Sequence, residues 1–179
     1  WTPSNRQDFY REARMTFNLT RAAAEDLLFA EAHLLDKLEL DPWLQMFSEH
    51  GVYWIPIDEN APVAVNLSII NDTSMRRQER VHHILHNTYP AQSPRSRTVH
   101  FVSNVSARPD PRGFLVQSSQ LIYEMRTGDS SQVGLGEPSP LVAQVEHIFC
   151  EEAGQIKILE KKILLINRDA WHGNLTFLI

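Results

Sequence analysis

The sequence predicts an α+β fold in which one curved, mostly antiparallel sheet wraps over N-terminal helices. Three observations predict it. Between Ala24 and Leu38, apolar residues recur at the three-and-four spacing of an amphipathic helix. At Val52 the period drops to two. From Arg97 onward the chain reads as four long strands joined by turn-forming residues, and no period of 20 to 50 residues repeats.

At 179 residues and 42% hydrophobic content the chain is long enough to bury a core as one domain. We assign an arm to residues 1–19 and a single domain to residues 20–179. The net charge of −5 speaks against nucleic acid or anionic lipid as a partner. No apolar run approaches the ~20 residues of a membrane span, and the basic-then-apolar layout of a signal peptide is missing. The expectation is therefore a soluble, cytoplasmic protein. The single cysteine, Cys150, cannot form an internal disulfide, which suits a reducing compartment.

In chain order, Trp1 to Leu19 is polar and irregular. Thr20 is placed to cap the first helix, whose apolar stripe is Ala24, Leu27, Leu28, Leu34, Leu35 and Leu38, with Glu25 and Asp26 near its positive end. Asp41 and Pro42 open a second, short helix burying Trp43, Leu44 and Phe47 and ended by Gly51. Val52 to Ile57 is a strand whose Pro56 suggests an edge or a bulge. Val63 to Ile70 is a second strand, leading through Asn71, Asp72 and Thr73 into a helix with three arginines. Thr88 to Ser96 is a loop broken by Pro90 and Pro94.

Arg97 to Arg108 and Phe114 to Arg126 form a hairpin about the Asp110 to Gly113 turn. Strict alternation puts Val99, Phe101, Ser103 and Val105 on one face and His100, Val102 and Asn104 on the other. Asp129 to Pro140 is a loop. Leu141 to Glu151 and Gln155 to Asn167 form a second hairpin about Glu152, Ala153 and Gly154. In its last strand Ile156 and Ile158 are out of phase with Ile163 and Leu165, a slip that predicts a bulge. The ending, Gly173 to Ile179, stays largely apolar to the last residue and should be buried against this chain or another.

Charges in unexpected places are the candidate functional residues. Glu31 lies seven residues from both Ala24 and Leu38, and so points into the core. A carboxylate buried alone costs several kcal/mol, so Glu31 should be either ionised against an arginine or protonated and hydrogen-bonded, and the partner hypothesised for it is Arg76, Arg80, Arg97 or His100. Asp36 falls off that stripe. Asp72, Arg76 and Arg80 are four apart on one helix side, where unpaired arginines repel by roughly 0.2 to 0.5 kcal/mol. Arg77 falls on the apolar side with Val81, Ile84 and Leu85, where its head must snorkel or find a partner.

Other chemistry is poorly supported. His82 and His86 are spaced for zinc on a helix, but the metalloprotease pattern needs a glutamate where His83 stands, and the nearby arginines repel cations. A Rieske cluster needs two cysteines and two histidines. Phosphate-binding, dinucleotide and nucleophile-elbow motifs are absent. An acid/base pocket lined by Tyr53, Trp54, Asp72, His100 and Asn104 stays open, with Asp72 or Asp36 serving His100 in a stand-alone dehydratase or isomerase. A small-ligand carrier or interaction module also stays open.

Several motifs, in order, resemble one family. Asp72, Arg76, Arg80 and Val81 after the SII strand, and Arg97, His100, Ser103, Asn104 and Val105 in RTVHFVSNV, look like the small (β) subunit of bacterial aromatic-ring-hydroxylating dioxygenases. The helix AEDLLFAEAHLLDKLELDPWLQMF and the ending KKILLINRDAWHGNLTFLI are similar to it as well, so the likeness runs from about Ala24 to Ile179. Arg77 departs from it, standing where an apolar residue is expected. The resemblance implies a nuclear-transport-factor-2-like, cystatin-like cone. It implies an α3β3 hexamer whose large subunits carry a Rieske [2Fe–2S] cluster and mononuclear iron, fed by NADH through a reductase and usually a ferredoxin. The small subunit would be structural, with no cofactor of its own, and Glu31, Asp72, Arg76, Arg80, Arg97, His100 and Asn104 would serve structure or subunit contact.

Overall fold

The computed structural model describes residues 18–59, 68–86, 93–128, 134–168, 175 and 177–179. Most of the expected N-terminal arm, the start of the second strand, and parts of the loops at 88–96 and 129–140 and of the apolar ending lie outside the described residues. Helix α1 (Arg21–Asp36) is followed by α2 (Leu40–Gln45), β1 (Phe47–Pro56), β2 (Ser68–Asp72), α3 (Ser74–His86), β3 (Arg97–Asp110), β4 (Gly113–Met125), β5 (Ser139–Glu152) and β6 (Gln155–Leu165).

The strands form one curved, unclosed sheet in the order β2-β1-β6-β5-β4-β3. All pairs are antiparallel except β1 with β6. The α+β expectation holds, and the parallel pair is an addition to it. Helix α1 packs on β3, with Ala24, Leu28, Ala32 and Leu35 turned into the core. Thr20 caps it as expected, its hydroxyl accepting from Ala23 N at 3.2 Å. The helix stops at Asp36, and Leu38, at φ 56°, turns the chain into α2.

The second helix is shorter than expected, because strand β1 begins already at Phe47. Gly51 is therefore not a helix end. A Cβ there would sit 2.7 Å from Ile158 O, so glycine is what lets β1 approach β6. The predicted slip in β6 is present: Ile148 pairs with Glu160 and Phe149 with Ile158, leaving Leu159 as the extra residue of a bulge. A second bulge lies in β3, where Ser103 pairs with Ser119 but Ser106 with Gln117, and Asn104 takes φ 55°. It reverses the alternation, so Val105 and Ala107 turn inward with Val102 rather than outward with Val99 and Phe101.

Phe177, Leu178 and Ile179 are buried in the core of this chain, and Ile179 N donates to the Tyr53 hydroxyl at 3.1 Å. No described helix is long and apolar enough to cross a membrane.

Candidate functional site

Glu31 is 2% exposed, as its helical phase demands, but its partners are not those expected. Lys161 of β6 donates to Oε1 at 2.8 Å, His147 of β5 meets Oε2 at 2.9 Å, and the Trp43 indole of α2 donates to Oε1 at 3.0 Å. Among the described residues no arginine takes part, and His100 is elsewhere. Burial by itself pushes the Glu31 carboxyl up, but Lys161 and His147 more than offset this and hold it well below the usual range. Burial also lowers the His147 and Lys161 values. The consistent state is an ionised Glu31, a charged Lys161 and a neutral His147 donating through Nε2. The imidazole stacks on Phe149 at 5.5 Å, and Trp43 sets its edge against Phe47 and Tyr53. This is a junction of four elements, α1, α2, β5 and β6.

Lys161 and His147 escaped sequence reading, though a signal existed. In β5 Leu141, Ala143, Val145, His147 and Phe149 share one parity, and in β6 Lys161 shares that of Ile163 and Leu165. Each charge stands on an otherwise apolar face, as Glu31 does.

The arginine helix divides. Arg80 binds Asp72 with both Nε and Nη2, the latter at 3.1 Å, and this raises the Arg80 value. Arg76 is exposed and among the described residues reaches the Asn71 carbonyl, at 3.4 Å, with no acid there of the kind it was expected to have. Arg77 is buried, its Nη1 donating to Gly51 O at 2.8 Å and its guanidinium 4.0 Å from the Phe47 ring centroid. Burial lowers its value to about 10, with Asp72 opposing the shift.

A second carboxylate of α1 holds His100. Asp36 Oδ1 lies 2.6 Å from His100 Nδ1 and accepts from Thr98 Oγ1 at 2.9 Å, while Oδ2 accepts from His100 N at 3.1 Å. Partial burial raises the Asp36 carboxyl, and the hydrogen bonds from His100 and Thr98 bring it below its ordinary value. The five-residue pocket is not assembled. Tyr53 and His100 face the helices, but Trp54 points the other way, to Ser68 and Lys162, Asn104 is exposed in its bulge, and Asp72 is taken by Arg80.

Away from the helices, β3 and β4 carry an exposed apolar stripe. Val99, Phe101, Tyr123 and Met125 are 51%, 54%, 43% and 36% exposed, with the Phe101 and Tyr123 rings edge to face. Arg97, also exposed, begins the same strand, paired with Met125. His82 and His86 are exposed with rings 4.7 Å apart. Among the described residues, no three His, Cys, Asp or Glu side chains come together as metal ligands would.

Comparison with known proteins adds the following. Residues 30–169 match the family model described as ring hydroxylating beta subunit. The chain is 33% identical over 151 residues to the small oxygenase component of the p-cumate 2,3-dioxygenase system of Pseudomonas putida, covering 82% of this chain and 79% of the relative. Its fold is similar to the beta subunit of benzoate 1,2-dioxygenase from Burkholderia mallei, with TM-score 0.71 at 20% identity, covering 91% of this chain and 100% of that one. A weaker fold likeness, TM-score 0.57 at 14% identity over 89% of both chains, is to a hexachlorocyclohexane dehydrochlorinase.

Proposed function

The chain belongs to the ring hydroxylating beta subunit family, which makes it the small component of an aromatic-ring-hydroxylating dioxygenase, and from that premise we propose that its part is structural. A Rieske cluster does not fit this chain, since it takes two cysteines and Cys150 stands alone. On this reading the [2Fe–2S] cluster and the mononuclear iron sit in a partner large subunit. That subunit makes a cis-dihydrodiol from an arene with O2 and NADH-derived electrons, in a cytoplasmic α3β3 hexamer.

The seven residues divide between two duties. Glu31, Asp72, Arg80 and His100 hold the cone together from within. Arg76, Arg97 and Asn104 face outward and serve contact with other subunits. The stripe of Val99, Phe101, Tyr123 and Met125 supports this, because contiguous exposed apolar surface commonly marks a protein interface.

The observation that carries the reading is the match to the p-cumate small oxygenase component across 82% of the chain. The test is reconstitution with a large subunit bearing C-x-H and C-x-x-H ligand pairs. The purified chain should be iron-free and inactive on its own, and should restore diol formation and hexamer mass when the large subunit is added. Turnover or tightly held iron in the chain alone would overturn the reading. The stand-alone dehydratase reading retains Asp36 beside His100 but loses Asp72 to Arg80, and turnover by the isolated chain is also what would revive it.

A further inference from the structure

His82 and His86 stand one turn apart at the C-terminal end of α3, both exposed, with ring centroids 4.7 Å apart and ring planes tilted by 44°. Residues four apart on a helix share a face, so two imidazoles at this spacing can close on one ion without moving the backbone. His83 is less well placed to join His82. Side chains adjacent in sequence diverge, and its ring lies 6.2 Å from that of His82 at 76°.

Three arginines precede the histidines, and in the sequence they argue against a cation here. The fold removes most of that objection. Arg80 engages the Asp72 carboxylate with both Nε and Nη2, and Arg77 is buried toward the Gly51 carbonyl and the Phe47 ring. Arg76 is six residues before His82 and reaches back to the Asn71 carbonyl. Arg95 does lie near this end of the helix, donating to Leu85 O at 2.7 Å. Opposing it, Glu79 is exposed three residues before His82, and the last turn is the negative end of the helix dipole, which favours a cation.

The donor set selects the ion. Among the described residues no third ligand side chain joins the pair, and zinc in proteins takes three or four protein ligands. Calcium and magnesium take oxygen ligands. Copper(II) accepts imidazole nitrogen in a tetragonal set that water can complete, and it stands at the top of the divalent series, well above iron(II).

We propose that His82 and His86 are the two protein ligands of a surface site for copper(II), with water in the remaining positions, and that the bound ion ties together the last two turns of α3. The site draws on no partner subunit, so it stands or falls separately from the assembly role.

The probe is copper(II) chloride, added to the full chain after chelator treatment and dialysis. Binding is read by equilibrium dialysis and the ligand set by electron paramagnetic resonance. The chain should take up copper saturably with two imidazole nitrogens on the ion, nickel(II) and zinc more weakly, and magnesium not at all. His82→Gln and His86→Gln should each weaken copper binding about a hundredfold, because a second ligand held on the same helix no longer closes the chelate. His83→Gln should leave it unchanged. All three positions are exposed, so the variants should melt with the native chain. Copper should also slow amide exchange from Val81 to His86 in the native chain. If a variant fails to fold, the resonance spectrum and the exchange data of the native chain decide alone. Copper binding that survives both substitutions marks an adventitious ion only and overturns the proposal, as does an equal loss in His83→Gln, a spectrum without two imidazole nitrogens, or no saturable uptake.

Discussion

Glu31 and Asp36 are carboxylates five residues apart on the same helix, and each collects three hydrogen-bond donors. Their settings differ in reach. The donors to Glu31 come from α2, β5 and β6, residues 12, 116 and 130 positions away, whereas those to Asp36 all come from two residues of β3. One acid ties separate parts of the chain to a common point, and the other positions a single strand and its histidine. The difference teaches that the number of donors does not set a buried charge's structural weight. What counts is how much of the fold depends on that charge and how little water can replace it.

The largest effect is expected from Glu31→Gln, which leaves the Lys161 ammonium buried without a counterion. Breaking such a pair costs about 3–5 kcal/mol, measurable as a lowered urea midpoint. Lys161→Met should lose a similar amount, while the triple variant Glu31→Leu, Lys161→Met, His147→Leu should recover most of it, because an apolar replacement removes every charge together. A midpoint unchanged in Glu31→Gln would erase the distinction drawn between the two acids. Asp36→Asn should be milder, about 1.5–3 kcal/mol for charge-assisted bonds to one strand, with faster amide exchange confined to β3.

Acid should sharpen the contrast further. Both carboxyls are held below their ordinary values, so each contributes stability that is present above that value and lost as pH falls below it. His147, also lowered, gains a proton on unfolding, which starts the decline below 6.5. The stability gap between the native chain and Glu31→Gln should therefore close as pH drops below 4.5. A gap that persists unchanged to pH 2 would sink this assignment. The smallest effect on stability is expected outside: Phe101→Ser with Tyr123→Ser should stay within about 0.5 kcal/mol per site, since both are exposed. Binding to a large subunit, measured by sedimentation, should nonetheless weaken.

Helix α1 and the inward turn of Glu31 were legible because helical phase is a local property, read from residues within two or three turns. Which side chains meet Glu31 was not legible, because that depends on strand parity in β5 and β6 and on a bulge that resets parity midway. The slip between Ile158 and Ile163 is visible in the sequence, but the side on which Lys161 falls depends on where between them the bulge lies. Gly51 shows the same limit: as a local signal it reads as the end of a helix, whereas the cause is the Ile158 carbonyl at close range from a distant strand. The parallel pairing of β1 with β6 left no local trace. Strict alternation puts Val105 on the face of Val99 and Phe101, and Asn104 in its left-handed conformation is what reverses it. At the candidate site, His100 and Asp36 were each noted, and only the fold shows them 2.6 Å apart.

The extra residue in β6 also says where this strand tolerates change in length. Deleting Leu159 would restore regular pairing and leave Ile158, Lys161, Ile163 and Leu165 on their present sides. The same deletion at Lys162 would carry Ile163 and Leu165 toward solvent. Gaps in an alignment of relatives across this hairpin therefore belong at Leu159, and relatives lacking that position should have a straighter last strand.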